Sequence, residues 1–349
     1  VAMSLGSLQE PMHQLASCEA SPPELRRQCV NAHLAGVTAV IACEDMAEVA
    51  LEKTIEALPS WLAVHASLCS GADAWEPRER VSCAFSAVRA VTSLSRHRAL
   101  ESAMAESMEA VLRPACLLVQ SLHAAYEQAV IYQDDGGLSE EDGAASQLIA
   151  QLMELIQAML LRPKLRSMLK NRIKSLLQLL VPFMRITEAQ AAAWQADPNE
   201  FLAQEEDEHV RGCAVRLSGE GLVGELLESF KRETARAVAG IVGELLERGE
   251  SGRAGGESQS WKLTEVALYI FGVASSEVSV KALQRGELGP LVPTVLAAAG
   301  SLSGDKAVPQ FLRARAFSLL MRLRDAVCQL VQAEVPKLLE AAATGLAPN

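Results

Sequence analysis

Leu148-Ile-Ala-Gln-Leu-Met-Glu-Leu-Ile-Gln-Ala-Met-Leu160 is the stretch that decides the fold class. Leu148, Ile149, Leu152, Leu155, Ile156, Met159 and Leu160 fall on one stripe of a 3.6-residue helix. Pro163 punctuates that helix, and Leu165, Met168, Leu169, Leu176 and Leu180 repeat the stripe on a second one. Neither helix can bury its apolar face alone, so the pair must stack on others like it. Upstream, a comparable pair runs from Val81 to about Leu94 and from Leu100 to about Leu122. Downstream, Leu222, Val223, Leu226, Leu227 and Phe230 open a helical stretch that resumes at Val238, Ile241, Val242 and Leu245. Further units start near Trp261 and Val308.

Unit starts near 218, 261 and 308 are separated by roughly 43 and 47 residues, and helix pairs repeating every 40 to 47 residues or so are the mark of HEAT arrays. Half of the 349 residues are hydrophobic and only 4% aromatic, which suits packed helices better than a sheet sandwich. The expected fold is all-α, a HEAT-repeat α-solenoid offering an extended, curved surface, with a compact helical bundle as the alternative. Residues 1–80 form a helical segment of indistinct periodicity in which Pro22-Pro23 is placed to open a helix, and 81–349 carry the repeats. Loops are expected at about 133–144, 196–213 and 249–259, the last a flexible Gly/Ser-rich linker. Starting at Val1 and ending in low-complexity Ala342–Asn349, the chain reads as a fragment of a longer array.

The formal charge is −11, from 32 Lys+Arg and 43 Asp+Glu. That balance speaks against direct nucleic-acid binding, which needs clustered cations, and favours basic proteins as partners. Charge-free stretches are too short or too broken to span a bilayer. Eight scattered cysteines without a C-x-x-C pair suit free thiols in a reducing compartment.

No residue pattern points to catalysis, a cofactor or a metal. Gly219-Glu-Gly221-Leu-Val-Gly224 fits G-x-G-x-x-G, but a dinucleotide site needs strands on both sides of it, so a helix N-terminal turn is expected there. The six histidines lack metal-ligand spacing.

Two charged features remain. Arg162, Arg166, Lys170 and Lys174 recur every four residues, which on a continuous helix lines up four cations as a solvated face or a contact for an acidic partner. The second is the acidic segment after Thr187, an N-cap with Gln190 in capping-box position. Helix is expected to stop at Asp197-Pro198, because a residue before proline is pushed out of the α region. Asp197, Glu200, Glu205, Glu206, Asp207 and Glu208 then follow with no basic residue before Arg211. Composition allows a merely solubilising run. Exposed ion pairs contribute about 0.2–1 kcal/mol each, so six of them reach roughly 1–6 kcal/mol where millimolar affinity needs about 4 kcal/mol. The segment can assist a larger surface but cannot bind tightly by itself.

Ile186-Thr187-Glu188-x-Gln190…Trp194…Asp197-Pro198…Phe201…Glu206-Asp207…Val215-Arg216-Leu217 resembles the acidic-loop repeat of the karyopherin-β importins, nearest to the importin-nine branch. Trp261-Lys262-x-x-Glu265-x-Ala267 and Phe311-Leu312-x-x-Arg315-Ala316 resemble the openings of the next two repeats, and Tyr126, Val130 and Tyr132 a stretch upstream. The resemblance implies a HEAT superhelix that carries basic cargo, such as core histones and ribosomal proteins, through nuclear pores. It implies shuttling between cytoplasm and nucleus, contact with nucleoporins and regulation by the GTPase Ran. Residues 1–80 do not show the family's Ran-binding repeats, so Ran contact is expected of a full-length receptor rather than of this chain. The acidic cluster is the implied cargo or Ran contact. A HEAT scaffold subunit without a transport role is the competing function.

Overall fold

A computed structural model describes residues 77–132, 143–197, 199, 201, 214–277, 286–304 and 309–323, with scattered positions between 55 and 66 and at 283, 336 and 340. Every regular element among them is helical. The chain divides into two compact units, Val1–Ala125 with Glu140–Lys170, and Tyr126–Ser139 with Asn171–Asn349. The expected Pro22-Pro23 helix start and most of loop 133–144 lie outside the described residues.

In the first unit, α1 (Pro77–Ser95) packs on α3 (Ala144–Leu160). All seven stripe residues of α3 are buried. Between the two helices, the Gln151 amide donates to Thr92 Oγ1 at 3.2 Å while Thr92 returns its own proton to the Val88 carbonyl, so a buried polar pair is satisfied inside the apolar contact. α2 (Glu101–Tyr126) carries on into a π-helical turn, Glu127–Ile131. Helix α4 (Pro163–Leu169) starts with proline at its first turn, where the missing N–H costs nothing.

The four-residue cation series does not form one helical face. Arg162 is the N-cap of α4, Arg166 lies within it, Lys170 opens a 3₁₀ turn (Lys170–Arg172), and Lys174 sits in the next helix, α5 (Ile173–Leu180). A 3₁₀ turn advances three residues per turn rather than 3.6 and breaks the phase the spacing needs. Arg162 donates to the Arg96 carbonyl, and the neighbouring Lys164 ammonium donates to Ser102 Oγ at 2.6 Å, so these two cations brace the first unit.

In the second unit, α5 runs into a 3₁₀ turn, Val181–Met184, and then α6 (Glu188–Ala196). There follow α7 (Ala214–Ser229), α8 (Lys231–Ala254), α9 (Trp261–Ser276), α10 (Val292–Gly304) and α11 (Gln310–Arg322). Helix α9 packs on both α7 and α11; α8 covers α7 and α9, and α10 covers α9 and α11. Each second helix thereby seals the seam between two first helices, which is how repeats share one core.

Two sequence expectations fail here. The glycine motif is not a helix N-terminal turn: α7 begins at Ala214, and the three glycines lie within it. Gly219 faces Met184, whose sulfur would stand 2.6 Å from a Cβ added there, so the glycine serves close packing. The 249–259 linker is helical as far as Ala254. Glycine-rich composition reads as flexible, but Gly249 and Gly252 are buried where α8 meets α9; a Cβ on Gly249 would come within 2.4 Å of Thr264 Oγ1. The turn closes as a Schellman motif, with Glu257 N–H on the Gly252 carbonyl, Gly256 N–H on the Arg253 carbonyl, and Gly256 at φ +83°.

Gly249→Ala is therefore expected to destabilise the chain by about 1–3 kcal/mol through overpacking. Gly240→Ala, on an exposed turn of the same helix with nothing within 4 Å of the added methyl, should stabilise it by about 0.5–1 kcal/mol. Urea denaturation of the two variants beside the parent checks both signs.

Candidate functional site

The acidic segment is rooted in the second unit by two devices. The first is the capping box that starts α6: Gln190 N–H donates to Thr187 Oγ1, and Thr187 N–H donates to Gln190 Oε1, each at 3.1 Å. The helix ends where the sequence places its end, with Asp197 extended at φ −136° and ψ 99°. Asp197 is exposed and accepts the Asn199 N–H at 2.9 Å.

The second device is aromatic. Phe311 on α11 takes three rings edge-on or tilted: Trp194 of α6 at 5.4 Å, Trp261 of α9 at 5.6 Å and Phe201 at 6.3 Å. Trp194 and Phe201 also meet directly at 5.2 Å. Such ring pairs add roughly 0.5–1.5 kcal/mol beyond the area they bury. Of the acidic cluster, Asp197 is in place at the surface; Glu200, Glu205, Glu206, Asp207 and Glu208 lie outside the described residues.

Beneath the aromatic cluster is an ion network that composition and spacing did not single out. Glu265 of α9 is fully buried. Arg216 of α7 grips it through two hydrogen bonds, at 2.6 and 3.0 Å, and also donates to the Met184 carbonyl at 3.0 Å. Arg315 of α11 reaches the same carboxylate at 3.1 Å. Tyr269 lies under both guanidiniums, 3.7 Å from Arg216 Cζ and 5.0 Å from Arg315 Cζ. Its hydroxyl donates to Glu220, and burial pushes the phenol well above its ordinary range. Arg315 Cζ also stands 5.3 Å from the Phe201 ring centroid, joining the network to the aromatic cluster.

Another buried cation, Lys262, donates to Glu188 at 2.8 Å and to the Ile131 carbonyl. That carbonyl belongs to the last residue of the π-helical turn. Burial pushes the Lys262 ammonium below the usual lysine range, against the opposing pull of Glu188. Nearby, Arg185 binds Glu127 at 2.6 Å, the Tyr132 hydroxyl at 3.1 Å and the Pro182 carbonyl at 2.9 Å. Arg216, Lys262, Glu265 and Arg315 all fall in the quoted resemblance motifs, where their task is to hold helices together. One signal could have found the Glu265 triad: charges on three successive first helices, spaced 49 and 50 residues apart.

Second helices that each cover two first helices, pinned by a buried ladder of charge, define a HEAT-repeat array. A sequence profile described as Importin-9 central HEAT repeats matches residues 168–345, about half the chain. The chain belongs to the importin-9 family of karyopherin-β transport receptors. It is similar to Importin-9 of Drosophila melanogaster, 26% identical over 135 residues, which are 38% of this chain and 13% of the fly protein. Its fold resembles that of the exportin Cse1 in its cargo-free, cytoplasmic state, with a TM-score of 0.59 at 13% identity over 97% of this chain and 35% of the other. The family is one of transport receptors and not an enzyme class.

Removing the buried carboxylate should cost far more than removing an exposed one. Glu265→Gln is expected to lose about 3–5 kcal/mol, because it strands two buried guanidiniums. Glu287→Gln, whose partners Arg232 and Arg236 are 78% and 63% exposed, should leave the denaturation midpoint within error. Comparing the two midpoints checks the ladder.

Proposed function

We propose that this chain is the middle of a nuclear import receptor and that its acidic segment, Asp197, Glu200, Glu205, Glu206, Asp207 and Glu208, contacts basic protein cargo. The observation that supports this reading is the placement of Asp197. It is exposed and directly follows a capped helix, between two aromatic residues, Trp194 and Phe201, that are themselves packed into the repeats. A segment tethered in this way presents its charge from a fixed base. Core histones and ribosomal proteins have the matching charge, and a negative surface speeds their encounter while masking them. The full-length receptor then shuttles between cytoplasm and nucleus, meeting nucleoporins and Ran through repeats beyond this chain.

The test is binding of a core histone dimer to the full 349-residue chain across a salt series. Affinity should fall steeply as salt rises. Reversal of Glu205, Glu206, Asp207 and Glu208 to Lys should weaken low-salt binding by about tenfold or more, since four exposed pairs are lost at about 0.2–1 kcal/mol each. Absence of binding at low salt, or indifference to the reversal, overturns the proposal.

A further inference from the structure

Arg162, Lys164 and Arg166 alternate ahead of an exposed serine, Ser167, and Lys170 follows it three residues on. Arg162 and Lys164 brace the first unit, but the Ser167 hydroxyl does no more than donate to the Lys164 carbonyl of its own helix at 2.7 Å. A hydroxyl set among cations is the charge pattern that a kinase with an acidic substrate groove selects. Three serines in the sequence have basic residues both three and five positions before them: Ser167, Ser175 (after Lys170 and Arg172) and Ser318 (after Arg313 and Arg315). The fold separates them. Arg315 is 5% exposed and bound to Glu265, so Ser318 lacks a cation that a kinase could reach. Ser175 runs straight into buried Leu176 and Leu177 on α5. Ser167 has half-buried Arg166 and Met168 on either side, in a helix of only seven residues, and so short a helix opens at little cost.

We propose that Ser167 is a phosphorylation site for a serine kinase directed by basic residues, and that Lys164 and Lys170 hold the phosphate. In the transfer, the Ser167 Oγ–P bond forms and the bond from the γ-phosphorus of a nucleoside triphosphate to its β-bridging oxygen breaks. The hydroxyl proton passes to the kinase's base, and the nucleoside diphosphate leaves. Lys164 and Lys170 stand three residues before and after Ser167. Lys170 keeps helical backbone angles, φ −49° and ψ −48°, so both cations neighbour Ser167 on the surface of α4. The added group carries about −1.5 to −2 charge at pH 7 and three acceptor oxygens. It offers the Lys164 ammonium, now on Ser102 Oγ of α2, a stronger partner. The Lys164 backbone N–H keeps its bond to Glu101, at 2.6 Å. Phosphorylation thereby loosens one side-chain tie between α4 and the start of α2 and leaves the backbone tie in place.

The experiment incubates the full chain with magnesium-ATP and the catalytic domain of protein kinase C, which accepts basic residues on both sides of its target serine. An unfolded peptide of residues 160–171 runs beside it, and mass spectrometry maps the phosphate. Ser167 should be modified at least about tenfold faster than Ser175 or Ser318, and Ser167→Ala should remove most of the incorporation. Phosphorus NMR across pH then follows the second ionisation of the phosphate. In the folded chain it should lie below its value in the phosphorylated peptide, because cations held beside the group favour the dianion. Equal modification of Ser175 or Ser318 overturns the site, as does an unmodified Ser167, whether or not the peptide reacts. An ionisation identical in chain and peptide overturns the role given to Lys164 and Lys170.

Discussion

The second unit is organised by the burial of one carboxylate. Glu265 has no exposure to solvent, and removing a charged carboxylate from water costs several kcal/mol unless partners replace the lost hydration. Its partners come from two other helices, Arg216 on α7 and Arg315 on α11. Both guanidiniums in turn lie over Tyr269. A slip of one helical turn is about 5.4 Å, enough to separate either arginine from Glu265. Apolar stripes tolerate sliding far better than this triad does, so the charges set the register that the leucines and valines then fill. Lys262 does the same work lower in the array, holding the end of the π-helical turn and the first turn of α6 at once.

These buried charges and the acidic segment separate two uses of ionic residues in one acidic chain. Inside, the charges that join the helices of the second unit are matched and committed: Glu265 to two arginines, Arg185 to Glu127 and Tyr132, and Lys262 to Glu188. At Asp197, the carboxylate is at the surface and its hydrogen bond is local, to a backbone N–H two residues on. The aromatic residues stand between the two systems, with Arg315 touching Phe201 on one side and Glu265 on the other. Family membership fits this division, because the matched segment 168–345 contains the ladder, the aromatic cluster and the acidic segment together.

Much of this was legible from residues alone. The α3 stripe, the Thr187 capping box and the stop at Asp197 are local properties, governed by helical periodicity, one side-chain cap and one proline, and the structure matches all three. What misled was composition standing in for contact. Gly249 and Gly252 look like linker, but their missing side chains are what lets α8 lie against Ser260 and Thr264. The four-spaced cations look like a face, but spacing implies a face only while the helix is unbroken, and three residues of 3₁₀ turn suffice to break it. The ladder itself was hidden because Arg216, Glu265 and Arg315 lie 49 and 50 residues apart, each in a different repeat. Only the three repeats together make it a site.

The ladder also limits where this array can change length. Arg216 to Glu265 and Glu265 to Arg315 span 49 and 50 residues, yet the two intervals are filled differently. The first holds the 24-residue α8 and a tight turn at 255–260; the second holds the 13-residue α10. Second helices of 24 and 13 residues each bring the next first helix to where its charge meets Glu265 or is met by it. Connections absorb length at small entropic cost, whereas an insertion within α7, α9 or α11 would rotate a paired charge by 100° about its axis and leave it buried without its partner. Variation in this part of the molecule is thereby directed into the connections, and the acidic segment between α6 and α7 is one of them.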